Sequence, residues 1–190
     1  YNLPTMSDYF NLEFWNLWGR IASYVLFAIT AIILIYYYVK LSSLGEYKKK
    51  YDFINKNEIN YLWTASITLL IALGIFINTL VIGGELVWIA VRAFVTIMMG
   101  LIIGVIISNL LKFYYPFYVE KRLKKLRYTP RISPKSGKPM KLLTEDEEDV
   151  YLDEGMQAEE NVFSVDYDVW IDEETGYTKI EKYAGHLIAL

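Results

Sequence analysis

A long, mainly apolar stretch, residues 86–111, restricts the fold of this chain more than any other feature of its sequence. Roughly twenty apolar residues, rising about 1.5 Å each, cross a hydrocarbon core of about 30 Å, so this stretch is long enough for a transmembrane helix. Its small and polar residues recur at every fourth position and include a GxxxG motif: Arg92, Thr96, Gly100, Gly104 and Ser108. We call these five residues the seam row, and we predict that another helix packs on it through Thr96, Gly100 and Gly104.

Two further apolar stretches, residues 21–39 and 61–82, are also long enough to cross a bilayer. The second of them carries Gly74 and Asn78 on a four-residue spacing, which predicts packing against the seam row. Only a short glycine turn separates residues 61–82 from residues 86–111, the third stretch in chain order, so these two helices must be antiparallel neighbours. With 54% hydrophobic residues, the sequence predicts an α-helical integral membrane protein with three transmembrane helices and a small α+β tail.

The predicted organisation is an interfacial segment at residues 1–20, a three-span membrane domain at 21–127 and a cytosolic tail at 128–190. Basic residues concentrate at residues 40–56 and 112–141. In a bacterial inner membrane this distribution predicts an N-terminus on the outside and a C-terminus in the cytoplasm. Membrane lipids are the first expected partner. The basic residues at 120–127 serve either as ordinary anchoring or as a surface for anionic headgroups. Pro116 is expected to kink or end the third helix.

Glu85 and Arg92 are the charged residues at the entry of the third apolar stretch. They are seven residues apart, so they share one face of a helix. An intramembrane arginine is costly and therefore a functional candidate. Three interpretations remain open for Arg92: anchoring near the membrane surface, contact with a partner subunit, and ion or proton translocation.

The tail has clear local signals. Thr144 and Glu147 predict a capping box for a short acidic helix, and the acids at residues 145–160 predict a solvated helix face. The alternating residues 162–171, followed by DEETG and residues 177–183, predict a β-hairpin. Its expected packing residues are Tyr167, Val169, Trp170 and Ile180.

Two turns of the tail share one pattern, SPKSG at residues 133–137 and DEETG at residues 172–176. Together with the acidic segment and SVDYDVW between them, they resemble the cytoplasmic zinc-ribbon tail of some bacterial membrane proteins, including ones with an extracytoplasmic TPM domain. That resemblance implies former metal-ligand positions at Ser133, Ser136, Asp172 and Thr175. None of these side chains is a thiolate, and hydroxyls are poor zinc ligands. We therefore expect a ribbon-like hairpin without zinc.

The composition narrows the chemistry further. The chain has no cysteine and one histidine, His186, which is expected to have a solvent or packing role. Nothing in the sequence groups a nucleophile, a base and an orienting residue, and no glycine-rich phosphate loop is present, so we expect no cofactor and no nucleic-acid partner. The leading hypothesis is a non-enzymatic accessory or scaffold subunit of a bacterial inner-membrane complex with a protein partner. The alternative is the membrane anchor and tail of a larger protein with a TPM-like enzymatic domain upstream of Tyr1.

Overall fold

The structure, a computed structural model, describes residues 12–80, 86–162 and 165–184. Most of these residues are helical, and a small antiparallel sheet lies near the C-terminus. The chain divides into two compact units, Tyr1–Leu123 and Lys124–Leu190, which we describe separately. Glu85, His186 and residues 1–11 lie outside the described residues.

The first unit is built from long helices. Helix α1 spans Leu12–Ser43, α2 spans Tyr47–Asn78 and α3 spans Leu86–Asn109. A π-helical turn, Leu110–Tyr114, leads into α4 (Tyr115–Arg127). Within the described residues, three segments are long and apolar enough to cross a membrane: Glu13–Ser43, Tyr47–Asn78 and Val87–Arg127. Three membrane-length helices were predicted, and three are present.

The helices are longer than the predicted spans. Helix α1 includes residues 12–20 without a break, and α2 already begins at Tyr47, 14 residues before the predicted span. Pro116 does not end the third helix. Proline has no N–H and would clash with the carbonyl four residues earlier. The wide turn just before it, in which the Tyr115 N–H bonds the Leu110 carbonyl, lets the chain remain helical.

Helices α1 and α2 pack together through residues spaced by seven. Ser23, Thr30 and Tyr37 are buried on α1, and Tyr51, Glu58, Ala65 and Ala72 are buried on α2. A seven-residue repeat keeps one face turned to the neighbouring helix, and small residues let two backbones approach closely. The two helices approach closely near Gly19, where an added Cβ would lie 2.6 Å from Thr79 Cγ2. The sequence analysis did not identify this interface.

The second unit is organised around a three-stranded antiparallel sheet in the order β1-β2-β3. Its strands are Lys141–Leu142, Val165–Ile171 and Thr178–Ala184, and its helices α5 and α6 are Glu145–Glu148 and Glu154–Asn161. The predicted hairpin is present as β2 and β3, with Asp168 opposite Glu181. The capping box also forms, since the Thr144 N–H donates to Glu147 Oε2 at 3.1 Å. Strand β1 was not predicted.

Both faces of the central strand β2 are covered. Tyr167 and Val169 pack with Leu152 on one face, and Trp170 is buried on the other. Ile180, expected in the core, is 37% exposed because it lies on the edge strand β3, whereas α6 packs on β2. The core of the tail therefore follows the central strand.

Candidate functional site

The first group of candidate residues lies between α2 and α3. Asn78 donates through Nδ2 to Thr96 Oγ1 at 3.0 Å and to the Gly74 carbonyl at 2.9 Å. Arg92 donates to Asn78 Oδ1 and to the Asn78 carbonyl, each at 3.1 Å. We call Asn78, Arg92 and Thr96 the Asn78 cluster. An added Cβ at Gly74 would lie 3.4 Å from Thr96 Cγ2, so this glycine also lies against the seam row.

The two glycines of the seam row have different surroundings. An added Cβ at Gly104 would lie 3.8 Å from Ile67 Cδ1, so α2 covers this position. An added Cβ at Gly100 would meet nothing within 4 Å among the described residues. The helix packing expected at Gly100 is therefore not formed with α2, because the two helices are in contact above and below it but not at its level.

The space beside Gly100 belongs to a groove of about 630 Å³ in the first unit. Its walls are mainly isoleucine and leucine side chains of α2 and α3, and Trp15, Asn16 and Gly19 of α1 contribute to one end. The polar residues Asn78, Thr79 and Arg92 line the same groove. One cavity thus combines a long apolar wall with a cation.

A second cluster was missed by the sequence analysis. The Glu58 side chain is only 2% exposed, and it accepts hydrogen bonds from the hydroxyls of Tyr37 and Tyr115 and from the guanidinium of Arg122. We call these four residues the Glu58 cluster. It connects α1, α2 and α4 through one carboxylate. The signal was the seven-residue spacing of Tyr51, Glu58, Ala65 and Ala72, which places Glu58 on a buried face.

The third cluster lies in the tail, at the two turns that suggested the ribbon resemblance. In the first turn the Gly137 N–H bonds the Ser133 carbonyl at 3.0 Å, and in the second the Gly176 N–H bonds the Asp172 carbonyl at 2.8 Å. Both glycines have positive φ, 72° and 67°, a conformation that favours glycine. The two turns therefore have the same backbone geometry.

The structure brings together, around Asp172, the four residues that the resemblance singled out. The Thr175 hydroxyl donates to Asp172 Oδ2 at 2.5 Å, and hydrogen bonds with Ser133 and Ser136 reach the same carboxylate. The hydrogen bonds with Ser133 and Thr175 are the main reason that the pKa of Asp172 lies well below its usual range. We call these four residues the knuckle cluster. In this cluster the Asp172 carboxylate accepts from the Thr175 hydroxyl, and the Ser133 and Ser136 side chains lie close enough to stabilise its charge.

Two arginines bind the carboxylates on one face of the sheet. Arg127 donates to Asp168 Oδ1 at 2.6 Å and stacks 4.6 Å from the Tyr183 ring. Arg131 donates to Glu181 Oε2 at 2.6 Å, and its bonds hold the pKa of this buried carboxyl below the usual range although burial alone would raise it. Since Arg122 and Arg127 both have carboxylate partners within the chain, the predicted basic surface at residues 120–127 is only partly available to lipid headgroups.

The acidic run predicted a solvated helix face, but the Glu148 side chain is buried. It is 6% exposed, and burial raises its pKa to about 7. Strand β1 pairs with Trp170 and Ile171 of β2. At the next residue of β2, the Val169 N–H donates to Glu148 Oε2 at 3.3 Å. The carboxyl therefore serves as a hydrogen-bond partner for the central strand.

The described residues contain no group of three or more His, Cys, Asp or Glu side chains placed to hold a metal ion. No model of a known protein family matches the sequence, and comparisons with curated proteins and with solved structures give no match.

Proposed function

We propose that the protein is a non-enzymatic accessory or scaffold subunit of a bacterial inner-membrane complex. One observation carries the proposal: the buried acids of the described residues are all bonded to donors of the same chain. They are Glu58, Glu148, Asp168, Asp172 and Glu181. A catalytic acid or base needs a free position within reach of a substrate. These carboxylates instead hold helices, strands and turns in place.

The proposal assigns separate roles to the two units. The long apolar helices anchor the chain and offer a surface within the membrane, since large side chains such as Phe94 on α3 are 62% exposed. The tail offers a polar surface, on which Val150 is an apolar residue with 84% exposure. A subunit of this kind contacts its protein partner through both surfaces.

Site-specific photocrosslinking in native membranes tests the proposal. A photoreactive amino acid is placed at Phe94 or at Val150, and the adducts are identified by mass spectrometry. We expect both positions to crosslink to the same partner protein. Val162, which is 70% exposed elsewhere on the tail, is the matched control position. Lipid adducts alone at Phe94, with no protein adduct at Val150, would contradict a scaffold role.

The proposed orientation places the N-terminus outside and residues 44–46, between α1 and α2, inside. Single cysteines at Ser7, Ser43 and Gly155 are labelled with an impermeant thiol reagent on intact spheroplasts. We expect labelling at Ser7 only. Labelling at Ser43 without labelling at Ser7 would reverse the orientation.

A second candidate function is favoured by the knuckle cluster. The convergence of Ser133, Ser136, Asp172 and Thr175 supports the ribbon resemblance, and through it the membrane anchor of a larger protein with a TPM-like enzymatic domain. The mass of the intact protein in native membranes separates the two candidates. A mass well above 22.2 kDa that includes a folded domain upstream of Tyr1 supports the anchor, whereas a mass close to this value supports the scaffold.

A further inference from the structure

We propose that the groove between α2 and α3 binds one anionic phospholipid, with its phosphate at Arg92 and an acyl chain along the apolar wall. The inference rests on the membrane insertion proposed above, but it does not depend on any protein partner. Three observations support it: the depth of Arg92 in the membrane, the length of the groove and the neutral character of the partners of Arg92.

The depth of Arg92 follows from its bond to Asn78. Tyr61 and Trp63 mark one membrane boundary on α2, since tyrosine and tryptophan prefer the interface. Asn78 lies 17 residues after Tyr61, or about 26 Å along the helix, which is close to the thickness of a hydrocarbon core of about 30 Å. Because Arg92 bonds to Asn78 at 3.1 Å, its guanidinium lies near the opposite boundary, where phosphates are present.

The length of the groove matches one leaflet. On α2 its lining extends from Thr79 and Asn78 down to Ile67, a distance of about 16 Å from Asn78 and therefore about half of the bilayer. At this depth an added Cβ at Gly104 would already be 3.8 Å from Ile67, so the helices close on each other. A transmembrane helix of a partner needs a surface across the full bilayer. An acyl chain needs only the depth of its own leaflet.

Charge and shape indicate the headgroup. Among the described residues, the side-chain bonds of Arg92 go to the neutral oxygens of Asn78, and no carboxylate there forms a salt bridge with it. A guanidinium binds phosphate through paired, charge-assisted hydrogen bonds. A volume of about 630 Å³ is in the range of small-molecule sites.

The test compares lipids with the same acyl chains but different headgroups. The full chain is purified in detergent, exchanged into phosphatidylglycerol or phosphatidylcholine, and examined by native mass spectrometry. We expect one phosphatidylglycerol to remain bound per chain, and phosphatidylcholine to bind about tenfold more weakly. Arg92→Gln should weaken phosphatidylglycerol binding by a similar factor.

Two variants separate the charge from the groove. Arg20→Gln is the matched control, because Arg20 bonds the Thr79 carbonyl at 3.2 Å but does not line the groove. It should leave lipid binding unchanged. Gly100→Phe fills the open space beside Gly100 and keeps the charge, so it should also displace the lipid. Each variant is checked for retained helix content by circular dichroism.

Several outcomes would overturn the inference. Equal retention of both lipids would show that the headgroup charge is irrelevant, and binding that withstands both Arg92→Gln and Gly100→Phe would place the lipid elsewhere. Lipid binding that appears only in Glu85→Gln would identify Glu85 as the anion of Arg92. A protein bound to the wild type at one copy per chain in place of lipid, and lost in the Gly100→Phe variant, would assign the groove to a partner helix. None of these results changes the expected crosslinks at Phe94 and Val150, so the two proposals fail separately.

Discussion

Replacing Glu58 should destabilise the membrane unit more than replacing any exposed acid on the same helix. The carboxylate accepts from Tyr37, Tyr115 and Arg122, and Glu58→Ala removes all three interactions at once. Hydrogen bonds to a charged group contribute about 1.5–3 kcal/mol each, and breaking a buried pair costs about 3–5 kcal/mol. Arg122 lowers the expected cost, because its side chain is 50% exposed and can reach water. We therefore expect a loss of about 3 kcal/mol, most of it from the stranded Tyr37 hydroxyl and the space left by Glu58.

The assay is reversible unfolding in dodecyl maltoside titrated with sodium dodecyl sulfate, followed by far-UV circular dichroism. Asp52→Ala is the matched control, since the Asp52 side chain is 56% exposed on α2 and forms a surface ion pair with Lys48. Such a pair contributes about 0.5 kcal/mol or less. Glu58→Gln keeps the volume and an acceptor oxygen, so it should cost about 1–2 kcal/mol. If Glu58→Ala and Asp52→Ala differ by less than about 0.5 kcal/mol, the cluster does not hold α1, α2 and α4 together.

Three further predictions concern other parts of the chain. Gly19→Ala should destabilise the α1 and α2 pair by about 1–3 kcal/mol, because the new Cβ would lie 2.6 Å from Thr79 Cγ2. A second change, Thr79→Ser, should restore stability, and the control Gly100→Ala should be neutral or slightly stabilising. Failure of the rescue in the same titration would refute the contact. The raised pKa of Glu148 means that the folded state holds a proton that the unfolded state loses. The stability of the tail should therefore fall by about 1–2 kcal/mol, after allowance for solvent screening, as the pH rises from about 4.5 to about 7. Hydrogen exchange of the tail amides should show this pH dependence in the wild type and lose it in Glu148→Gln. The purified protein should contain no stoichiometric zinc, and a chelator should leave its fold unchanged. A variant with all four residues of the knuckle cluster changed to cysteine should bind one zinc with Zn–S distances of about 2.3 Å. If this quadruple variant folds without binding zinc, the two turns are not in a ribbon arrangement.

The features predicted from the sequence are those that depend on neighbouring residues. Apolar length predicted the three long helices, the Thr144 and Glu147 spacing predicted the capping box, and alternation predicted β2 and β3. Each depends on a period or a spacing within about twenty residues, which the sequence displays directly. The four-residue spacing of Gly74 and Asn78 likewise indicated the face of α2 that lies against Thr96.

Features that join distant parts of the chain were not predictable in this way. Arg122 meets Glu58 across 64 positions and Arg131 meets Glu181 across 50, and neither arginine differs in the sequence from its basic neighbours. Glu148 could not be distinguished from the other acids of its run, because its burial depends on the strand beneath it. Gly100 and Gly104 have the same sequence signal, but only the contact between the helices decides which one α2 covers.

Native mass spectrometry of particles extracted from the native membrane will show whether this chain works as a subunit within a membrane complex. Extraction with a styrene–maleic acid polymer keeps the surrounding lipid and avoids detergent exchange. We expect one dominant assembly that contains this chain and a partner protein in fixed stoichiometry. Particles that contain only this chain and lipid would contradict it.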